Sequence, residues 1–197
     1  MNMELFEAIM TRRSARRYLD RPVDRPTLER VIEAGRVAPS GGNSQTTRFI
    51  VITDRSVLDD LAALVCREFA AMEAGPDTYR SLRHAIEASR RGGYVFHYNA
   101  PALIVTANKK SYGNNLADCA CALENMMLAA NALDLGSCWI NQLRWLNEEP
   151  ELLAYLTALG MRDDERVYGA VIVGYPANGL PNRDLMAQKG NVVTYID

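Results

Sequence analysis

Residues 115–135 read Asn-Leu-Ala-Asp-Cys-Ala-Cys-Ala-Leu-Glu-Asn-Met-Met-Leu-Ala-Ala-Asn-Ala-Leu-Asp-Leu, with no proline to interrupt them. Ala, Leu and Met favour helix, and at helical rise such a run spans ~31 Å, the width of a small domain. Apolar side chains surround almost the whole circumference, which predicts a helix buried on most sides. Many of them are small (Ala117, Cys119, Ala120, Cys121, Ala122, Ala129, Ala130, Ala132), so another backbone can approach closely. Asp118, Glu124, Asn125, Asn131 and Asp134 argue against a membrane span. Gly136 suits the left-handed residue just past a helix end, and 137–140 then reads as a short buried strand. The rest of the chain has to wrap around this beam.

With 197 residues, 48% of them hydrophobic, the chain is long enough to do so as a single domain over 1–197. A formal charge of −2 and a pI near 5.8 exclude a general nucleic-acid binder. No apolar run follows a basic N-terminus, so no signal peptide is expected. Cys66, Cys119, Cys121 and Cys138 show no metal-ligand spacing, and reduced thiols in the cytoplasm are the simplest reading. His84 and His97, the only histidines, leave little material for a zinc site or a Ser-His-Asp triad.

Ahead of the beam, apolar residues at helical spacing predict a helix ending near Arg12. The run Arg12-Arg13-Ser14-Ala15-Arg16-Arg17 then admits two readings, a solvated charge run or a phosphate site built on guanidinium forks. Asp24 and Pro26 suit the cap and first turn of a second helix. Pro39 ends it, and the loop Ser40-Gly41-Gly42-Asn43-Ser44-Gln45 offers close backbone approach together with amide donors and acceptors. This loop is not a Walker A motif, and no Gly-x-Gly-x-x-Gly lies between strand and helix. A strand is expected over 49–53, a helix over 56–72 and a second strand over 102–107. A helix opening at Asn147 and Pro150 ends at Gly160, and a strand follows over 167–173. Residues 77–99 read as helix plus mobile loop, with Tyr79, Tyr94, Phe96, His97 and Tyr98 as candidates for a lid over a substrate. Residues 191–196 have strand composition behind a polar, turn-rich arm. Helices and strands interleave, giving an α+β or α/β class.

Five stretches in this order resemble the nitroreductase-like FMN flavoproteins: Arg12-Arg13-Ser14-x-Arg16, Ala38-Pro-Ser-Gly-Gly-Asn-Ser-Gln45, the helix from Asp118 to Ala130, Gly136-Ser-Cys-Trp139 and Gly174-Tyr-Pro176. The resemblance implies an α+β fold with a central, mostly antiparallel sheet flanked by helices, a long buried core helix and an intertwined homodimer. It implies FMN as cofactor and NAD(P)H as co-substrate, with a ping-pong transfer to a small-molecule acceptor. By the same resemblance Arg12 and Lys189 hold the FMN phosphate, flanked by Arg13, while Ser14 and Arg16 face the ribityl chain and the pyrimidine side of the ring. Pro39, Ser40, Gly41 and Asn43 come from the partner subunit, and the backbone of Gly136 and Ser137 lines the flavin. The C-terminal strand is exchanged between subunits, with no nucleic-acid or membrane partner. A non-catalytic FMN store or sensor is the rival reading. The chain departs from the family's usual pattern at Thr46-Thr47, where Pro-Trp is common, and at Gln188-Lys189, where a basic pair is common.

Overall fold

The computed structural model describes residues 3–179 and 190–196. The beam is realised as α5, Asn115–Ala132, and lies against a four-stranded sheet. The strands β1 (Arg48–Ile52), β2 (Ala102–Lys109), β3 (Gly136–Ile140) and β4 (Glu165–Gly174) pair antiparallel throughout, in the order β1-β2-β4-β3. Both faces of the sheet are covered, which is why β2 and β4 read as near-continuous apolar runs rather than alternating ones. On one face Leu103, Val105, Ala170 and Ile172 meet α3 (Arg55–Ala71), α4 (Arg80–Arg91) and α7 (Pro150–Ala158). On the other, Ala102, Ile104, Val171 and Val173 meet α5 and α2 (Arg25–Arg36). A charged tie joins β1 to β4 across β2: Arg48 Nε donates to the buried Glu165 carboxylate at 2.6 Å.

The local signals act as expected at several boundaries. The Asp24 carboxylate accepts from the Thr27 N–H at 2.9 Å and caps α2. Asp54 caps α3 through the Ser56 and Val57 N–H groups, and Pro150 occupies the first turn of α7. The short helices α1 (Leu5–Thr11) and α6 (Gln142–Trp145) complete the set; α6 was not legible because one helical turn carries no period. Among the described residues no helix is long and apolar enough to cross a membrane.

Two expectations need correction. Gly136 is not the left-handed residue that ends α5: Asp134 takes that conformation (φ 59°), while Gly136 opens β3 and is small because a Cβ there would lie 2.7 Å from the Ala15 methyl. The lid reading of 77–99 fails at its aromatic centre. Phe96 and His97 are fully buried, and the Tyr94 hydroxyl accepts from Gln142 Nε2 at 2.8 Å, so these side chains pack the core. Residues 191–196 form no strand within the chain, since strand composition needs a sheet edge to pair with. Val192, Tyr195 and Ile196 are instead 93%, 83% and 95% exposed.

Candidate functional site

Two half-sites are built on α5, at different heights and on different faces. The first begins where α1 ends. Asn131 of α5 donates to the Ala8 carbonyl and the Thr11 hydroxyl, both at 3.0 Å, and fixes the end of α1. Arg13 folds back, its Nη1 donating to the Met10 and Arg12 carbonyls at 3.0 and 2.8 Å, and so satisfies carbonyls that a helix end leaves open. The chain then runs extended beside β3. Ser14 bridges Ser137 in parallel, and the Ala15 N–H donates to the Ser137 carbonyl at 2.9 Å. On the far side Leu19 N–H donates to the Tyr175 carbonyl and Ala177 N–H to the Arg17 carbonyl. Residues 14–19 are therefore stitched between Ser137 and Tyr175–Ala177, which brings three stretches far apart in sequence to one edge.

Tyr18 fixes the shape of that strip. Its hydroxyl donates to the Ala15 carbonyl at 2.7 Å, and its ring, together with that of Pro101, occupies the space where a Gly174 Cβ would lie. Burial above all, with Cys138 beside it, raises the Tyr18 phenol far beyond its ordinary value, so the hydroxyl is a permanent donor. Burial likewise raises the Cys138 thiol, opposed by the charge of Arg16, a hydrogen bond from Ser14 and the charge of Arg12. The bridge from Ser14 to Ser137 sets the stretch that carries Arg12, Ser14 and Arg16 beside the start of β3. Ser14 and Arg16 are exposed. Arg12 is only loosely held, 3.8 Å from Glu124.

The second half-site is the loop after α2. Ser40 leads into a single 3-10 turn, Gly41–Asn43, whose Gly42 and Asn43 are left-handed (φ 59° and 54°). The Ser40 hydroxyl accepts from the Gln45 N–H at 3.0 Å, and Gln45 Nε2 donates to Asn43 Oδ1 at 2.8 Å. Gly41 packs so tightly that a Cβ would fall 2.1 Å from Asn114 Nδ2. Its N–H donates to Asp118 Oδ1 at 3.0 Å, so the turn is anchored to the first turns of α5. Pro39 and Ser40 border a cavity of about 390 Å³ beside Asp118 and Ala122.

The anchors Asp118 and Asn131 stand about 20 Å apart along α5 and about 140° apart around its axis. Between the two faces runs an open stripe that includes Ala117, Cys121 and Glu124. The strip 12–17 and Gly136–Ser137 are thus brought together, whereas Pro39, Ser40, Gly41 and Asn43 lie apart from them on another face. Lys189 lies outside the described residues. Sequence reasoning missed Asp118, Tyr112 and Tyr18 as structural determinants. A carboxylate inside an otherwise apolar helix was the available signal for the first.

Architecture and half-sites together define an α+β protein organised around a core helix that carries a cation-bearing strip and an amide-rich loop on separate faces. The chain belongs to the Nitroreductase family, whose model matches residues 9–175. It is 30% identical over 177 residues to an Archaeoglobus fulgidus protein named as a candidate NADH dehydrogenase/NAD(P)H nitroreductase, covering 88% of this chain and 86% of the relative. It is 26% identical over 212 residues to the nitrobenzene nitroreductase of Ectopseudomonas oleovorans, with 93% and 91% covered. Among solved structures, the FMN-bound nitroreductase of Bacteroides fragilis superposes with a TM-score of 0.87 at 34% identity, covering 98% of this chain and all of that one.

Proposed function

We propose that this protein is an FMN-dependent oxidoreductase, a single domain over 1–197 that uses NAD(P)H to reduce an electron-poor small molecule such as a nitroaromatic, quinone, enone or flavin. The carrying observation is the strip of residues 14–19 stitched between Ser137 and Tyr175–Ala177. The donor set fits the cofactor chemically. A dianionic phosphate calls for guanidinium, and among the described residues Arg12 has a loose partner, Glu124 at 3.8 Å, to give up. The exposed Ser14 hydroxyl suits a polyol, and Arg16 beside it suits the negative charge of a reduced pyrimidine ring. Arg12 and Lys189 are assigned to the phosphate, with Arg13 holding the end of α1 in place. Ser14, Arg16 and the backbone of Gly136 and Ser137 are assigned to the ribityl chain and the ring. When bound, FMN supplies the hydride transfer, and the protein supplies orientation and electrostatics.

The two faces of α5 support completion of each site by a second copy. We assign Pro39, Ser40, Gly41 and Asn43 to the FMN of the other protomer in a homodimer. The stripe through Ala117 and Cys121, and the exposed apolar residues Leu5 and Phe6 (64% and 79%), support a large contact between copies. The outer edge of β1 and α2 border a groove of about 860 Å³ with Phe49, Val51 and Ile32 in its lining. We assign residues 191–196 of the second copy to that edge. Four free thiols support the cytoplasm as the compartment.

The test is an absorption spectrum of the purified protein, then anaerobic addition of NADH or NADPH. Expected are a flavin spectrum, its bleaching by one of the two, and parallel double-reciprocal plots with a quinone or nitroaromatic acceptor. A yellow protein that neither nucleotide bleaches would instead be an FMN store or sensor.

A further inference from the structure

A buried charge inside a core helix calls for an explanation, because a carboxylate taken out of water is costly unless donors surround it. Asp118 is 5% exposed, and its partners all belong to one knot. Oδ1 accepts from the Gly41 N–H at 3.0 Å, and Oδ2 accepts from the Tyr112 hydroxyl at 3.0 Å and the Ser44 hydroxyl at 3.4 Å. The Tyr112 hydroxyl also lies 3.1 Å from the Gly41 carbonyl and 3.0 Å from Ser44 Oγ. The Gly41 N–H and the Ser44 hydroxyl that closes the turn are thereby tied to α5, while the Gly41 carbonyl accepts from the Ser44 N–H at 3.1 Å. The loop they hold is also closed on itself through Ser40 Oγ and Asn43 Oδ1, but its two consecutive left-handed residues, Gly42 and Asn43, are exposed. Left to itself, such a turn would sample many shapes.

We propose that Asp118, acting with Tyr112, is a positioning residue of the cofactor site. The buried carboxylate sets the turn Gly41–Asn43 in the one shape in which the loop of one copy closes on the FMN of the other. The inference rests on the FMN reading above, and goes beyond it by assigning the preformed loop to a charge that does not itself touch the cofactor. Tyr112→Phe removes a single oxygen from the knot, Asp118→Leu removes the carboxylate, and Asp118→Asn keeps an oxygen able to accept from the Gly41 N–H.

The experiment titrates FMN into each apoprotein by fluorescence quenching, and records circular dichroism of the bound flavin and sedimentation. Tyr112→Phe is expected to weaken FMN about tenfold and Asp118→Leu about a hundredfold, the former losing one hydrogen bond and the latter the whole carboxylate that preforms the site. Asp118→Asn should bind within about threefold of wild type, and the weakened variants should sediment as wild type with altered flavin dichroism. Wild-type affinity and dichroism in both Tyr112→Phe and Asp118→Leu would overturn the proposal. So would an Asp118→Asn protein as weak as Asp118→Leu beside an unaffected Tyr112→Phe. Should Asp118→Leu fail to fold, Tyr112→Phe decides alone. A wild-type chain that takes up no FMN would overturn the functional reading itself, and this inference with it.

Discussion

At the scale of single residues, the arginine run separates into different jobs. Arg13 is spent on the carbonyls that end α1, whereas Arg12 holds only a long contact to Glu124. Arg12→Ala is therefore expected to weaken FMN by about ten- to a hundredfold, the cost of a lost charge-assisted bond. Arg17→Ala should leave affinity near wild type. Equal dissociation constants for Arg12→Ala and wild type would remove the phosphate role. Tyr18 offers a second test. Removing its hydroxyl leaves the part-buried Ala15 carbonyl without its donor, so Tyr18→Phe should destabilise the fold by about 1–2 kcal/mol in urea unfolding.

Among the elements, what was legible depended on whether the signal was local. The cap at Asp24 and the apolar run of α5 are local, and both elements formed where expected. The end of α5 was not legible, because Gly136 is small for a contact with Ala15 more than a hundred residues away, and sequence spacing carries no trace of that approach. The same blindness produced the lid reading, since a cluster of aromatics looks alike whether it faces a substrate or the core. Phe96 is fully buried, so Phe96→Ala should cost about 3–5 kcal/mol of stability. Gly136→Ala, with its methyl 2.7 Å from that of Ala15, should push the strip 14–19 off β3 and cost about 1–3 kcal/mol. It should lower FMN affinity in the same titration.

The loop before β2 also carries a pH dependence. Among the described residues neither ring nitrogen of His97 has a partner in good hydrogen-bonding geometry. Burial first, and the charge of Arg55 second, depress its ionisation, with the Leu58 backbone and then Asp59 opposing. The unfolded chain therefore binds the proton more tightly, so this contribution to stability is complete above about pH 6.5 and is lost as the pH falls below that. Melting temperature should drop between pH 7 and pH 5, and His97→Leu should flatten that slope.

For the whole molecule, the proposed homodimer would cover the open stripe on α5 and pair the segment 191–196. Deleting residues 190–197 is expected to lower dimer stability and release FMN together, read by sedimentation and flavin absorbance. A wild-type monomer with FMN fully bound would defeat the two-copy site. The placement of the half-sites on separate faces of α5 has one more consequence, which belongs to genetics. When each site draws its strip from one protomer and its loop from the other, two defective chains can repair one another. A subunit carrying Arg12→Ala, mixed with a subunit carrying Gly41→Val, makes a heterodimer in which one site collects both lesions and the other has none. At limiting FMN each parent homodimer should bind the cofactor weakly and turn over slowly, and the heterodimer should keep one site of wild-type affinity and half the wild-type rate.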